Sequence, residues 1–451
     1  MTQQSRSKTC RGRNRERRAL SALLAIGIGL GLASSTLAGG YENFGLGARA
    51  QSLGGAYIAI ANDWTAGYWN PAGLGRIKDG SVGGDLLFVQ PTMRASNSYA
   101  NLAPGAAGSY RWTKDVFLDY TGLEPERFAK TSTSDNFVNP QGLGACYHLP
   151  GLFTLSLSVY QPLGYAIDWS DTIPYFSGEI YGSNWQRLIS TSTQLAVGIE
   201  VAPGIYVGGG VALLYDKIKR EAEKNVDSAP GPSPLDYYYS YRMDNDGFGC
   251  EGSLGIAADL TDWLSLGGVF RTGASVRLEG DAASRLTLTG MSESSDTVQK
   301  FRHPATWGIG LAVRPLGELC LSLDFNQNLW SSFRTDVSFK TPGILLQDQD
   351  FSEDWHDSEK IRLGCEYALS DSLVLRGGFC YDESPMPAKS VSLAFIPDTD
   401  KKYLTLGVGY APGESWSFDL FGASAWGNRS TENGDFEQRI WGGGLDATWR
   451  F

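Results

Sequence analysis

Histidine is the side chain most often used for acid–base catalysis and metal binding near neutral pH, and this chain has three, His148, His303 and His356. They lie far apart, and their spacing matches no metal-ligand pattern. The sequence also contains no nucleophile-elbow, zinc-protease or phosphate-loop motif. The Asp-Asn-Asp-Gly run at 244–247 resembles the start of a calcium loop, but the glutamate that such a loop requires is missing, so a turn is the better interpretation. These residues predict no enzyme, no metal site and no cofactor.

Residues 1–38 have the layout of a secretory signal peptide. A cluster of arginines is followed by an apolar stretch at 19–32 and by small residues at 36–38 that suit a cleavage site. We therefore expect export and a mature protein that begins at Gly39. The apolar stretch is shorter than the roughly twenty residues that a membrane-spanning helix needs, which disfavours the alternative of a membrane anchor.

The rest of the chain is acidic and lacks any long apolar run. Seven of the 38 basic residues and one of the 49 acidic residues belong to the signal peptide, which leaves 31 and 48 and a formal charge of −17. Such a charge repels nucleic acid, so we expect no nucleic-acid partner. The five remaining cysteines lack paired spacing and predict no disulfide framework. An exported chain that spans lipid without apolar helices must form a closed β-barrel.

Alternating apolar and polar residues, the pattern of a strand with one apolar and one wet face, recur along the chain. In the last segment Trp441, Leu445, Trp449 and Phe451 share one face, whereas Asp446 lies on the other. The pattern predicts fourteen strands, an even number, as single-chain bacterial barrels have. They cover residues 81–93, 142–149, 153–162, 190–202, 205–217, 246–259, 263–277, 301–314, 318–330, 360–369, 373–381, 403–411, 416–426 and 439–451.

The connections between the predicted strands alternate in length. Every second one is a tight turn, such as the Pro-Gly pairs at 150–151 and 203–204, whereas the others are long, such as 163–189 and 218–245. Short turns on one rim and long loops on the other are typical of outer-membrane barrels. A soluble sandwich, the alternative for alternating strands, gives no reason for this sorting. The sequence therefore predicts an all-β fold, a fourteen-stranded antiparallel transmembrane β-barrel formed by residues 81–451.

Residues 39–80 differ in composition from the predicted strands. Small residues are mixed with aromatic ones, and an Asn-Pro step at 70–71 favours a turn. A barrel of fourteen strands encloses more space than its own side chains fill. We therefore expect this segment to form an N-terminal plug, or hatch, inside the lumen. Its large apolar side chains, among them Phe44, Tyr57 and Trp64, disfavour the alternative of a disordered periplasmic tail.

A series of short motifs occurs along the chain in the order of a known family. Asn70, Pro71 and Ala72 look like the plug motif of that family. Further similar segments are Pro162-Leu163-Gly164, His303-Pro304-Ala305-Thr306-Trp307, Tyr381-Asp382-Glu383-Ser384-Pro385 and Ile396-Pro397-Asp398-Thr399-Asp400-Lys401. Together they resemble the FadL-type family of outer-membrane transporters for long-chain fatty acids and aromatic hydrocarbons. The similarity covers nearly the whole mature chain and is weakest in the loops.

The resemblance implies a transport mechanism. Ligand lodges between the extracellular loops, moves into a pocket above the plug, and leaves sideways through a gap at a kink in the third strand. The gap would lie near Tyr160, Pro162 and Gly164. Pro162 cannot donate a ladder hydrogen bond and Gly164 tolerates unusual dihedral angles, so a local break is physically reasonable there. The alternative is that Pro162 merely ends the strand.

The resemblance also implies where a carboxylate head group would bind. The family places basic residues at the top of the fifth strand and just before the tenth. The nearest candidates are Lys217, Lys219 and His356. A carboxylate needs a cation that is shielded from bulk water, and His356, where we expect a lysine, provides one only when it is protonated.

The resulting hypothesis is passive uptake of a hydrophobic compound through the bacterial outer membrane, with long-chain fatty acids as the leading cargo. The expected partners are a hydrophobic small molecule, the lipid bilayer with its lipopolysaccharide, and the outer-membrane assembly machinery, which the terminal Phe451 suits. Two alternatives stay open. One is an aromatic hydrocarbon uptake channel, and the other is a structural or scaffold barrel that transports nothing.

Overall fold

From Ser81 onward the chain forms one continuous antiparallel sheet. The structure is a computed structural model that describes residues 40–96, 131–133, 137–175, 178–227, 237–350, 354–391, 398–431 and 434–451. The predicted signal peptide, residues 1–38, lies outside these ranges. No helix in this part of the chain is long and apolar enough to cross a membrane.

Short helices precede the sheet. They are α1 (Ala48–Ser52), α2 (Ala66–Trp69) and the 3-10 helix η1 (Pro71–Arg76). The strands are β1 (Ser81–Ser96), β2 (Thr131–Thr133), β3 (Phe137–Leu149), β4 (Phe153–Tyr160), β5 (Gly164–Tyr175), β6 (Gly178–Ala202), β7 (Ile205–Asp227), β8 (Tyr237–Thr261), β9 (Leu264–Arg271), β10 (Ala274–Leu286), β11 (Met291–His303), β12 (Thr306–Leu316), β13 (Leu319–Asn328), β14 (Arg334–Phe339), β15 (Gln349–Asp350), β16 (Ser358–Ser370), β17 (Leu373–Asp382), β18 (Lys401–Tyr410), β19 (Trp416–Thr431) and β20 (Gly434–Arg450). Two more 3-10 turns, η2 (Trp330–Ser332) and η3 (Ala388–Ser390), lie between strands.

The first strand closes the sheet into a barrel. β1 pairs with β3 on one side and with β20, the last strand, on the other. Four wall strands are interrupted and consist of two segments each: β4 with β5, β9 with β10, β11 with β12, and β13 with β14. β2 and β15 are short additions paired with β1 and β14. Over the described ranges the wall therefore has fourteen strands, and the predicted antiparallel barrel is confirmed.

Several strands are longer than the sequence predicted. β6 and β8 have 25 residues each and β7 has 23. At about 3.3 Å per residue a strand of this length extends well beyond the hydrocarbon layer. The predicted loops 163–189 and 218–245 are therefore largely hairpin extensions of the wall. The prediction was wrong there because strands outside the membrane have no lipid-facing side and lose the alternating pattern.

Side chains alternate between an apolar outer surface and a wetter lumen. On β18, Leu404, Leu406 and Val408 point outward, and Leu406 is 73% exposed. The intervening Tyr403 and Thr405 are buried against the contents of the barrel. Exposed apolar side chains recur at alternate positions on the other wall strands, so the outer surface is one apolar band.

Aromatic side chains border this band at both ends. Phe270, Trp307 and Phe325 lie on neighbouring strands toward the long connections, with the Trp307 and Phe325 rings 5.6 Å apart. Trp416 and Trp449 lie near the short turns, 6.4 Å apart. Such rows mark the two membrane–water interfaces of outer-membrane barrels, and the short-turn rim is the periplasmic one.

The lipid-facing position of Leu406 leads to a stability prediction. Leu406→Arg places a charge near the centre of the apolar band and should lower the free energy of unfolding by about 2–4 kcal/mol. The matched control is Tyr410→Arg on the same strand near the periplasmic rim, where the cost should be about 0–1 kcal/mol. Urea unfolding in lipid vesicles measures both variants. Equal costs for the two variants would contradict the assigned band.

Candidate functional site

The segment from Gly40 to Gly80 lies inside the barrel and is held by carboxylates of the wall. Asp324 on β13 accepts hydrogen bonds from the backbone amides of Tyr57 and Ile58, at 2.7 and 2.8 Å. Asp85 on β1 accepts from the amide of Gly47 at 2.9 Å. Because α1 packs on β17 to β20 and η1 packs on β6 to β8, the segment is attached to opposite sides of the wall. We call residues 40–80 the plug.

Asn70 connects the plug to itself and to the wall. Its side-chain oxygen accepts from the amide of Ala72 and so caps η1, which begins at Pro71. Its side-chain nitrogen donates to the carbonyls of Ile58 in the plug and Ile256 on β8, at 2.9 and 3.1 Å. The motif Asn70-Pro71-Ala72 is buried, and Asn70 and Ala72 are both 0% exposed.

The close approach of this motif to the wall requires glycine. A Cβ atom on Gly255 of β8 would lie 2.1 Å from the Asn70 side-chain oxygen. A Cβ atom on Gly208 of β7 would lie 2.3 Å from the backbone of Pro71. Both distances are far shorter than a van der Waals contact, so the two glycines admit the motif to the wall.

The third wall strand is interrupted between Tyr160 and Gly164. β4 ends at Tyr160 and β5 begins at Gly164, with Pro162 between them. Below the interruption β4 pairs with both neighbours, β3 and β6. Above it, within the described residues, β5 pairs with β6 alone and the ladder to β3 is absent. Where the structure describes them, the second and third wall strands are therefore paired below the interruption and unpaired above it.

The plug supplies hydrogen bonds at this interruption. The amide of Asn43 donates to the carbonyl of Pro162 at 3.0 Å, and the amide of Gly164 donates to the carbonyl of Tyr41 at 2.9 Å. These two bonds place Glu42 opposite Leu163 in an isolated antiparallel bridge. The first residues of the plug thus act as a short substitute strand beside β5.

A cavity of about 100 Å³ lies between the plug and the wall next to this bridge. Its lining combines apolar groups with several charged ones. The lining includes Glu42, Tyr68, Trp69, Leu163, Arg271 and Arg362. The two guanidinium groups lie over plug rings, Arg271 over Tyr68 at 4.7 Å and Arg362 over Trp69 at 5.8 Å. The cavity is therefore amphipathic.

An aromatic cluster surrounds the first tyrosine of the plug. The ring of Tyr41 lies 5.2 to 6.0 Å from five other rings, all of them on the wall or its connections. These rings belong to Tyr165, Phe301, Trp330, Phe333 and Trp355. Each is at least 95% buried. We call these six residues the aromatic cluster.

A buried ion pair lies beside the aromatic cluster. The ammonium group of Lys360, at the start of β16, contacts the carboxylate of Glu42 and lies 3.3 Å from that of Asp382. Lys360 is 2% exposed. Asn328 also donates to Glu42, at 2.9 Å. The plug therefore presents a carboxylate to a cation that has almost no access to water.

The structure places the predicted head-group residues away from the cavity. Lys217 and Lys219 on β7 point to the outer surface, since the alternate residues Asp216 and Ile218 are the buried ones. Both lysines form ion pairs with Asp244, which shares that outer face, at 3.0 and 2.7 Å. His356 is likewise exposed to solvent rather than to the cavity.

Sequence reasoning missed Lys360. It is the third residue of β16, the tenth wall strand, and lies four residues beyond His356. Its side chain faces the lumen. The family resemblance implies a basic residue just before that strand, where His356 lies. The alternation Lys360, Arg362 and Gly364 against Ile361 and Leu363 was the available sign that Lys360 faces inward.

Comparison with known proteins agrees with this architecture. The model of the family described as "Outer membrane protein transport protein (OMPP1/FadL/TodX)" matches residues 30–449. The long-chain fatty acid transport protein of Salmonella typhi is 22% identical over 406 residues, which cover 80% of this chain and 88% of that protein. The protein of the same name in Escherichia coli strain K12 is 30% identical over 117 residues, 26% of each chain.

Solved structures share the fold. The FadL homologue of Pseudomonas aeruginosa superposes with a TM-score of 0.69 at 14% identity, covering 91% of this chain and all of that one. The Ralstonia pickettii toluene transporter TbuX superposes with a TM-score of 0.63 at 17% identity, covering 90% and 99%. At such identities the likeness shows the fold alone.

The hydrogen bonds of Asn70 predict a specific defect. Asn70→Ala leaves the carbonyls of Ile58 and Ile256 and the amide of Ala72 without their side-chain partner, which should weaken plug docking by about 1–3 kcal/mol. Hydrogen exchange in residues 57–75 should accelerate while the barrel stays folded. Asn70→Asp, which keeps the cap of η1 and loses both donated bonds, separates the two contributions. Unchanged exchange in Asn70→Ala would contradict this role.

Proposed function

The chain belongs to the OMPP1/FadL/TodX family of outer membrane transport proteins rather than to a family of enzymes, and from this premise we propose that its cargo is a long-chain fatty acid. As a member of that family it carries hydrophobic compounds across the outer membrane. The fatty acid crosses by passive diffusion through the plugged barrel and leaves sideways into the membrane.

The buried Lys360 is the observation that carries the choice of cargo. A cation taken out of water is stable only when it is paired and hydrogen-bonded. Its present partner, Glu42, belongs to the first residues of the plug. The carboxylate of a fatty acid has the same chemistry and can replace that of Glu42. The cavity beside Glu42, lined in part by Trp69 and Leu163, offers apolar surface to the hydrocarbon tail.

The interruption of the third wall strand supports a sideways exit. Lipid-facing backbone normally completes its ladder, yet among the residues that the structure describes β5 lacks one toward β3. The bridge between Glu42 and Leu163 covers the interrupted segment from inside. Displacement of the Glu42 carboxylate by that of a fatty acid would remove the ion pair that anchors this bridge to Lys360. Arrival of cargo at Lys360 and opening of the gap are thus coupled through one residue.

An aromatic hydrocarbon is the second candidate cargo. The aromatic cluster around Tyr41 is the observation that favours it, because stacked and edge-to-face contacts with benzene-like molecules need no cation. A barrel that only presents loops to partners is the third reading, and it gives no role to the missing ladder.

Uptake by cells that carry or lack the gene distinguishes these cargoes. Lys360→Met should reduce uptake of labelled oleate by about tenfold, the cost of one charge-assisted hydrogen bond, and leave toluene uptake unchanged. Lys217→Met/Lys219→Met removes two lysines from the outer face and serves as the matched control with normal oleate uptake. Glu42→Gln, which no longer competes for Lys360, should strengthen oleate binding to the purified protein.

The outcomes separate the readings. Equal loss of oleate and toluene uptake in Lys360→Met would indicate a structural role for the lysine. Normal oleate uptake in that variant would remove fatty acids as the leading cargo. Toluene uptake without oleate uptake by the wild type would favour the aromatic hydrocarbon channel, and no uptake of either would favour the scaffold.

A disulfide across the bridge tests the sideways exit. Glu42 and Leu163 form a bridge pair without mutual hydrogen bonds, a geometry with Cα atoms about 4.5 Å apart that a disulfide can span. Oxidised Glu42→Cys/Leu163→Cys should therefore take up no cargo, and a reductant should restore uptake. Each single cysteine variant, unable to form the bond, is the control. Full uptake with the disulfide in place would exclude this gap as the exit.

A further inference from the structure

Four basic residues lie at one height on the outer surface of the wall. They are Arg277 on β10, Lys300 and Arg302 on β11, and Arg334 on β14. These segments belong to the seventh, eighth and ninth wall strands, which are neighbours in the barrel. We call these four residues the basic cluster. Its first and last residues are 57 positions apart in the sequence, and only strand pairing brings them together.

All four side chains point away from the lumen. The adjacent residues Val276, Phe301 and Thr335 are 0%, 2% and 4% exposed. By contrast the side chains of Arg277 and Lys300 are 66% and 70% exposed. Arg302 and Arg334 are exposed as well. The basic cluster therefore faces the surroundings of the barrel and takes no part in the lumen.

The cluster places like charges directly opposite each other. In the strand register Arg277 pairs with Lys300, and Arg302 pairs with Arg334. Like charges at opposed positions on one face of a sheet repel and destabilise it. A sheet gains nothing structurally from such an arrangement. An anion bound between the opposed side chains would remove the repulsion.

Acidic neighbours neutralise half of the cluster. Arg277 contacts Glu279 at 2.8 Å, and Lys300 contacts Asp336 at 3.5 Å. Arg302 and Arg334 have no ion-pair partner in the described ranges. Arg334 instead donates to the backbone carbonyls of Ser331 and Phe333. Two opposed arginines thus remain with unneutralised charge, in a chain that is acidic as a whole.

The position of the cluster along the membrane normal indicates that its ligand comes from the membrane surface. The same three wall strands carry the aromatic row of Phe270, Trp307 and Phe325, which marks the extracellular membrane–water interface. Below that row Leu266 and Ile309 are 41% and 57% exposed to hydrocarbon. Each strand is then interrupted, and the arginines of the cluster follow on the extracellular side. From the membrane outward the surface is apolar, aromatic and then cationic.

We propose that the basic cluster is a binding site for the phosphate groups of an outer-leaflet glycolipid, with Arg302 and Arg334 as the principal ligands. The planar fork of arginine matches phosphate with two parallel hydrogen bonds. The acyl chains of the same lipid lie along Ile309 and Phe270. A soluble phosphate or phosphopeptide would use the arginines and leave this apolar surface unused. The site is separate from the cargo route and does not depend on the cargo.

Binding of lipid A to the purified full-length protein in detergent tests the site. The probes are bisphosphorylated lipid A and the same lipid after removal of its phosphates. Arg302→Gln/Arg334→Gln should weaken binding of the bisphosphorylated lipid by about tenfold and barely change binding of the dephosphorylated one. Bisphosphorylated lipid A should also raise the melting temperature of the wild type more than that of the double variant, since a ligand that binds the folded state stabilises it.

Arg242→Gln/Arg285→Gln is the matched control. It removes two exposed arginines from the same outer wall, with Arg285 about 26 Å farther along β10 than Arg277 at about 3.3 Å per residue. Its affinity for bisphosphorylated lipid A should equal that of the wild type. Equal losses in both double variants would show diffuse attraction and overturn the site, as would equal affinity for both lipids. Competition by inorganic pyrophosphate at the concentration of the lipid would assign the site to a soluble anion and also overturn the proposal.

Discussion

Every backbone amide and carbonyl that faces hydrocarbon must find a partner within the protein, and this constraint determines both the wall and the plug. The wall meets it by closure, because β1 joins the last strand to the second wall strand. At the carbonyl of Pro162 and the amide of Gly164 the wall alone does not meet it. Tyr41 and Asn43 of the plug supply the missing acceptor and donor to Gly164 and Pro162. The plug is thus part of the hydrogen-bonded wall as well as a filling for it.

The polar interior follows from the same reasoning. Three carboxylates of the wall and its connections accept hydrogen bonds from backbone amides of the plug: Asp398 from Gly40, Asp85 from Gly47, and Asp324 from Tyr57 and Ile58. A buried carboxylate is costly unless it accepts such bonds, so these contacts fix both the position and the orientation of the plug. The carboxylates of Glu42 and Asp382 are likewise stabilised, in their case by the ammonium group of the buried Lys360. Cargo that passes must exchange one set of satisfied polar groups for another.

Alternation and turn chemistry were enough to predict the number, order and direction of the wall strands, since the period of two and the Pro-Gly turns are local properties of the sequence. The extracellular ends were not predictable in this way, because strands that leave the membrane lose their apolar face. For the site, Lys217 has the same parity along β7 as the lipid-facing Val211 and Leu213, and this parity already indicates an outward position. The opposition of Arg302 and Arg334 depends on pairing register across a long connection, which a single sequence does not specify.

The two-sided attachment of the plug has a mechanical consequence. A thin cylinder squeezed by the lateral pressure of a bilayer yields most easily by flattening into an oval cross-section. Here Asn70 is bonded to β8 on one side, while Arg49 forms an ion pair with Glu366 of β16 on another. A rigid plug that is bonded to opposite sides of the barrel wall resists that change of shape. The cross-section of the barrel, and with it the width of any passage, is therefore set by a filler within the cylinder as well as by the stiffness of its shell.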